Sequence, residues 1–171
     1  EFLPHELGAQ FTPHHLLVDY VQHVAENSSK VQLTEYGRTN QDRPLLMAFI
    51  SSEENLENLE AIRQNNLRRA GLLDGEPDPA SNDVAIVWLS FGVHGNEAGG
   101  PESSMSVLYN LVTRRDAADW LKNIVVVFDP SINPDGYSRY THWYRNVAVK
   151  AMDPNPQARE HSEPWPGGRV N

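Results

Sequence analysis

The chain has 171 residues, 39% of them of hydrophobic type, enough for one domain with a core of its own and no need of covalent staples. Its 14 Lys and Arg against 23 Asp and Glu leave a formal net charge of −9, which disfavours nucleic acid and anionic membrane surfaces as partners. The absence of cysteine excludes disulfides, thiolate ligands and a cysteine nucleophile, while seven histidines keep imidazole chemistry open.

Leu16, Leu17, Tyr20, Val21 and Val24 recur at helical spacing and predict an amphipathic, superficial helix that starts at Thr12 or Pro13 and ends near residues 27–29. Residues 31–36 alternate as a strand does, residues 37–43 are polar and turn-like, and Pro44 leads into a second strand over 45–51, so the two read as a hairpin. A helical pattern covers 53–71 with Gly71 as C-cap, and the two prolines and glycine of 73–83 make a surface loop. Residues 84–91 form an apolar run of the length and β-branched content expected of a strand buried on both faces and central in a sheet. The longest apolar run, residues 84–93, is about half a membrane span and is interrupted by Ser90 and Gly92, so no segment is expected to cross a bilayer. A helix over 101–113, a short helical turn over 117–122 and a buried strand over 124–128 follow, and a right-handed parallel crossover is the expected arrangement. From Asp129 onward the prolines at 130, 134, 154, 156, 164 and 166 predict an extended, loop-rich path. The expected fold class is α/β, with a mixed sheet of at least four strands, a hairpin on one side, parallel central strands and flanking helices.

In open α/β sheets, sites collect at the carboxyl ends of the strands, and two polar clusters stand there: Gly92-Val93-His94-Gly95-Asn96-Glu97 and Asp129-Pro130-Ser131-Ile132-Asn133-Pro134-Asp135-Gly136-Tyr137. If the two strands are parallel neighbours, the clusters face one site. His94 and Glu97 are three apart on a turn entering a helix, close enough for an imidazole nitrogen and a carboxylate to bind one Zn²⁺ at roughly 2 Å. The plainer alternative has His94 capping the sheet edge and Glu97 favouring the helix N-terminus electrostatically. Asn133 and Asp135 suit tight turns better than catalysis. His142 and His161 lie in the tail and are further ligand candidates, whereas His5, His14, His15 and His23 precede the sheet and read as surface. Trp143, Tyr144 and Trp165 read as packing the tail onto the sheet.

Four stretches in order carry a resemblance to the zinc carboxypeptidase family of the carboxypeptidase A and B type. Tyr36-Gly37-Arg38-Thr39 with Arg43-Pro44-Leu45 resembles its early hairpin, His94 to Glu97 its first metal motif, and Asn133-Pro134-Asp135-Gly136-Tyr137 its NPDG turn. Trp165-Pro166-Gly167-Gly168-Arg169-Val170-Asn171 resembles a segment that some bacterial members place shortly before an Asn-Arg pair. The resemblance implies a zinc-carboxypeptidase-like (phosphorylase/hydrolase-like) fold, with residues 1–171 the N-terminal portion of a single catalytic domain truncated at its C-terminal side. It implies zinc held by His94, Glu97 and a later histidine, with a glutamate as general base, both expected beyond Asn171. Arg145 or Arg169 would be the arginine that stabilises the oxyanion, and an Asn-Arg pair would bind the substrate's terminal carboxylate.

The implied activity is that of a metallocarboxypeptidase, zinc-dependent hydrolysis of the C-terminal peptide bond of a peptide with a free carboxylate, with these 171 residues alone inactive. A zinc amidohydrolase that removes acyl groups from amino acids, and a non-catalytic binding module of the same fold, are the rival readings. The resemblance also implies secretion or a periplasmic location, and an exposed sheet edge would favour self-association.

Overall fold

The computed structural model describes residues 2–79, 84–148 and 153–165. In chain order they form α1 (His14–Glu26), β1 (Val31–Arg38), β2 (Pro44–Ile50), α2 (Glu53–Glu57), α3 (Leu59–Arg69), β3 (Ala85–Ser90), α4 (Gly99–Thr113), α5 (Arg115–Trp120), β4 (Ile124–Asp129), α6 (Pro134–Val147) and a 3-10 turn over Arg159–His161. The sheet order is β1-β2-β4-β3. β1 pairs antiparallel with β2, β2 antiparallel with β4, and β4 parallel with β3. The mixed sheet and the hairpin on one side agree with the sequence pattern.

Alternation along the strands builds a layer on each face of this sheet. Leu46, Ala48 and Ile50 of β2 and Val126 and Phe128 of β4 meet Leu17, Val21 and Val24 of α1 and Met105 and Leu108 of α4 in one cluster. Val125, one residue out of step with Val126, joins Ile62, Phe49 and Leu59 on the α3 side. α1 and α4 thus cover one face and α3 the other. The expected single helix over 53–71 is broken at Asn58, which ends α2 and starts α3. Beyond α3, Gly71 takes φ +68, the left-handed conformation that a helix C-terminus uses.

Three expectations from the sequence are corrected. β3 is neither central nor buried on both faces: it stands at the sheet's edge, with Ile86, Val87 and Trp88 exposed, because among the described residues no strand pairs with its outer side. The segment after Asp129 is not an extended path, since residues 134–147 form the 14-residue helix α6. Pro134 starts this helix rather than breaking it. Proline at the first helical position gives up an N–H that has no intrahelical partner anyway, and the Asn133 side chain accepts from the Gly136 amide as N-cap.

The third correction is His14, which is only 9% exposed, the opening residue of α1 rather than a surface histidine. Burial, with Arg43 adding repulsion, pushes its pKa down to about 4 from 6.5. An unfolded chain takes up this proton as pH falls below about 6.5, the folded chain only near 4, so stability is full above this window and declines as pH falls through it. We expect a loss of up to roughly 3 kcal/mol between those two pH values, absent in His14→Gln. Urea midpoints measured from pH 7 to pH 4 check this, and parallel curves for the two proteins would contradict it.

Candidate metal centre

The chain leaves β3 through Gly92, whose φ of +71 and whose contact with Pro101, 2.7 Å from where a Cβ would stand, both require glycine. This turn carries His94 and Glu97 before α4 begins. His94 Nδ1 and Glu97 Oε2 are 3.0 Å apart, and their side chains are 32% and 54% exposed, so two atoms of metal-ligating type meet at an accessible point. An imidazole nitrogen with a carboxylate oxygen fits zinc in donor type. Two donors are fewer than a zinc shell needs. Among the described residues no third His, Asp or Glu joins them in a group able to hold a metal.

The second cluster packs directly onto this turn. Phe91 N donates to the Asp129 carbonyl at 3.0 Å, and Ile132 N donates to the Phe91 carbonyl at 2.9 Å, continuing the parallel pairing past the strand ends. Asn133 Nδ2 then donates to the Val93 carbonyl at 3.0 Å, one residue before His94. Gly95 lies on the first turn of α6 so closely that a Cβ there would stand 2.6 Å from Gly136 Cα, and nearer still to its carbonyl carbon and oxygen. The two clusters therefore meet through backbone, which explains glycine at 95, while at 136 a Cβ would stand 2.6 Å from the capping Asn133 side chain.

Charged side chains lock the hairpin onto the same turn. Asp135 accepts from Thr39 Oγ1 at 2.8 Å and from Arg43 Nη1 at 2.6 Å. Burial works against the charge on Asp135, but the bonds from Thr39 and Arg43 outweigh it and hold the carboxyl below its ordinary range. Asp129, nearly fully buried, receives the Tyr36 hydroxyl at 2.9 Å, and burial raises its pKa. Asp135→Asn is expected to cost about 1–3 kcal/mol, read as a lower urea midpoint, because Arg43 loses its charge partner; an unchanged midpoint would show the latch contributes nothing.

A buried carboxylate that sequence reasoning missed ties the start of α4 to α6. Glu102, 7% exposed, accepts from the Thr12 backbone amide, from Thr12 Oγ1 at 2.9 Å and from the Tyr137 hydroxyl at 2.7 Å. Burial and the neighbouring Glu102 charge push the Tyr137 phenol far above its usual range. A Glu at the first turn of an amphipathic helix ordinarily reads as a solvated residue favoured by the helix dipole, so no sequence signal marks it as core.

The expected arginines fall in different places. Arg145 is nine residues beyond Gly136, which on a helix is half a turn around and roughly 13 Å further along, so it leaves the face that meets Gly95. It lines a cavity with His14, His15 and Arg43. Arg169 lies outside the described residues. Arg139, three residues beyond Gly136 and so within about 60° of it around the helix, is another residue sequence reasoning missed. It lines a cleft of about 430 Å³ together with Asn133, Asp135 and Thr39, and its guanidinium sits 4.6 Å from the Trp165 ring centre. Trp165 also meets Trp143 edge-on at 5.6 Å, and Glu163 Oε1 accepts from Asn96 Nδ2 at 2.8 Å, so the tail docks onto α6 and the turn holding His94. Of the other ligand candidates, His161 bonds the Asp153 carbonyl at 2.6 Å and His142 lines the Arg145 cavity.

Known proteins resemble this chain in sequence and fold. The zinc carboxypeptidase family model (peptidase M14) matches residues 17–165. A probable carboxypeptidase 2 from Arthroderma benhamiae is 33% identical over 85 residues, 49% of this chain and 15% of that protein. Carboxypeptidase 2 of Trichophyton tonsurans is 34% identical over 84 residues, 48% and 14% of the two chains. The matched stretch thus covers only about a seventh of the length of those curated relatives. Among solved structures, carboxypeptidase A from Helicoverpa armigera superposes with a TM-score of 0.53 at 20% identity, covering 75% of this chain and 26% of that one. Thrombin activatable fibrinolysis inhibitor superposes with a TM-score of 0.51 at 17% identity, covering 77% and 28%. At such identities the likeness concerns the fold. With a family model matched along most of its length, and a sheet and helices that superpose on carboxypeptidases, the chain belongs to the zinc carboxypeptidase family.

Proposed function

We propose that this chain is the N-terminal portion of the catalytic domain of a metallocarboxypeptidase that cleaves the C-terminal peptide bond of peptides, with His94 Nδ1 and the Glu97 carboxylate holding one zinc. The observation that carries this reading is the convergence of those two atoms, 3.0 Å apart, on a turn seated against the Asn133–Gly136 turn in a chain of this family. Bound zinc supplies a Lewis acid that polarises a carbonyl and lowers the pKa of a water molecule.

This chain's own residues aim and support the ligands. Gly92 turns the backbone out of β3, and Gly95 lets it lie on α6. Asn133 holds the Val93 carbonyl, so the side chain of His94 leaves a backbone fixed on both sides. Arg139, one turn into α6 and stacked on Trp165, is the arginine we assign to the oxyanion in place of Arg145 or Arg169: it is pre-positioned by the ring and lies on the Gly95 side of the helix. A third ligand and a general base belong, in this reading, to residues beyond Asn171.

The discriminating experiment uses the full-length enzyme with three probes: an N-blocked dipeptide with a free C-terminal carboxylate, the same compound amidated, and an N-acetyl amino acid. Cleavage of the free acid at least about a hundredfold faster than the other two supports a carboxypeptidase. Preference for the acetyl amino acid makes it a deacylase, and no turnover of any probe by zinc-loaded protein makes it a binding module.

A further inference from the structure

Between His94 and Glu97 stand only Gly95 and Asn96, so Asn96 carries the one side chain with which the segment between the two zinc-binding residues can be held. Glu97 N donates to the His94 carbonyl at 3.1 Å, which closes the four residues into a turn with Asn96 at its third position. The direction of the Asn96 side chain is therefore tied to the directions in which His94 and Glu97 leave the backbone. Asn96 Nδ2 donates to Glu163 Oε1 at 2.8 Å, from a residue 67 positions further along the chain. Asn133, through the Val93 carbonyl, holds the same turn just before His94.

Glu163 is presented by a segment with two anchors of its own. On one side the Asp153 amide donates to Glu160 Oε1 at 2.8 Å, and the Asp153 carbonyl lies 2.6 Å from His161 Nε2, so residues 153–161 close on themselves with Glu160 buried. On the other side Trp165 rests against Trp143 and the Arg139 guanidinium. A carboxylate held between two such points has little freedom left to lose on reaching Asn96.

The contact is also shielded from water. Glu163 Oε2 and Asn96 Oδ1 are both buried and receive no hydrogen bond among the described residues, so at these oxygens the pair has no second bond to fall back on. A bond to a charged acceptor away from water is stronger than a neutral one, and solvent does not replace it when it is lost.

We infer that Glu163 is a positioning residue of the metal centre: through Asn96 it sets the mutual orientation of His94 and Glu97, and with it the affinity for zinc. The inference rests on the reading of His94 and Glu97 as zinc-binding residues; Glu163 itself touches neither metal nor substrate. Groups that orient a metal ligand typically carry 10- to 100-fold in affinity or activity, and Glu163 acts through one more residue, so an effect at the lower end, about tenfold, is expected.

In the full-length enzyme, competition with a chromogenic chelator should show zinc bound about tenfold more weakly by Glu163→Ala, whereas Glu163→Gln, whose amide oxygen still accepts from Asn96, should stay within about threefold of the unaltered protein. Asn96→Ala should match Glu163→Ala, and the double variant should lose no more than either, as for two residues that act through one contact. A merely structural role would lower the melting temperature of the metal-free protein and leave the visible absorption of the cobalt-substituted enzyme as it was, so Glu163→Ala is expected to alter that absorption. Unchanged zinc affinity or an unchanged cobalt spectrum in Glu163→Ala, or losses that add in the double variant, would overturn the inference. His94→Ala separates the two levels. If it releases zinc while Glu163→Ala binds normally, Glu163 alone is discarded; if it keeps zinc, the centre itself falls and this inference with it.

Discussion

In the full-length enzyme, His94→Ala and Glu97→Ala are each expected to lower kcat/KM by more than about a hundredfold and to release zinc at micromolar concentrations of a chelator. The size follows from what each side chain supplies. Loss of a group that merely orients a ligand typically costs 10- to 100-fold in metal affinity or activity, and removal of a ligand itself costs more. The pair also acts as a unit: removing either member takes away the 3.0 Å contact that draws the other towards the ion. Because both side chains are partly exposed, neither substitution should shift the melting temperature of the metal-free protein by more than a few degrees. That separates ligand loss from unfolding. Variants that keep zinc and activity would remove His94 and Glu97 from the centre.

Gly95→Ala should have the second large effect, and through the opposite route. A methyl group at this position would stand 2.6 Å from Gly136 Cα and closer to its carbonyl, and the obstacle is backbone of a capped helix rather than a side chain able to swing aside. Either the turn holding His94 lifts off α6 or the fold absorbs the clash. We expect about 3 kcal/mol or more of lost stability, together with a fall in zinc affinity as the ligands are displaced. Gly136→Ala is the informative companion, since its methyl meets the Asn133 side chain, which can yield at the expense of the cap. A larger loss in Gly136→Ala than in Gly95→Ala would contradict the backbone contact.

The site was legible in the sequence to the extent that it is local. His94 and Glu97 are three apart, Gly92 and Gly95 flank them, and Asn133 with Pro134 marks a turn, so motif order and spacing bring the two clusters together. Longer-range features were not legible. The 84–91 run has the composition of a buried strand, but composition does not say how many neighbours a strand has, and β3 leaves Trp88 62% exposed at the sheet's edge. α6 is hidden in the sequence because its opening proline reads as a breaker. Tyr137, Tyr140, Thr141 and Tyr144 do recur at helical spacing there, but they are polar aromatics and a hydroxyl residue rather than aliphatics, so the apolar stripe is faint. The position of the arginines depends on this helix: only on a helix does Arg139 come round towards Gly136 while Arg145 turns away. His14 and Glu102 look like solvated residues in the sequence, and their burial depends on where α1 and α4 pack.

Anomalous diffraction at the zinc edge from crystals of the full-length enzyme tests the central claim most directly. A peak about 2 Å from both His94 Nδ1 and the Glu97 carboxylate is the expected result. A zinc peak held by other side chains, with His94 Nδ1 still bonded to Glu97 Oε2, would contradict it.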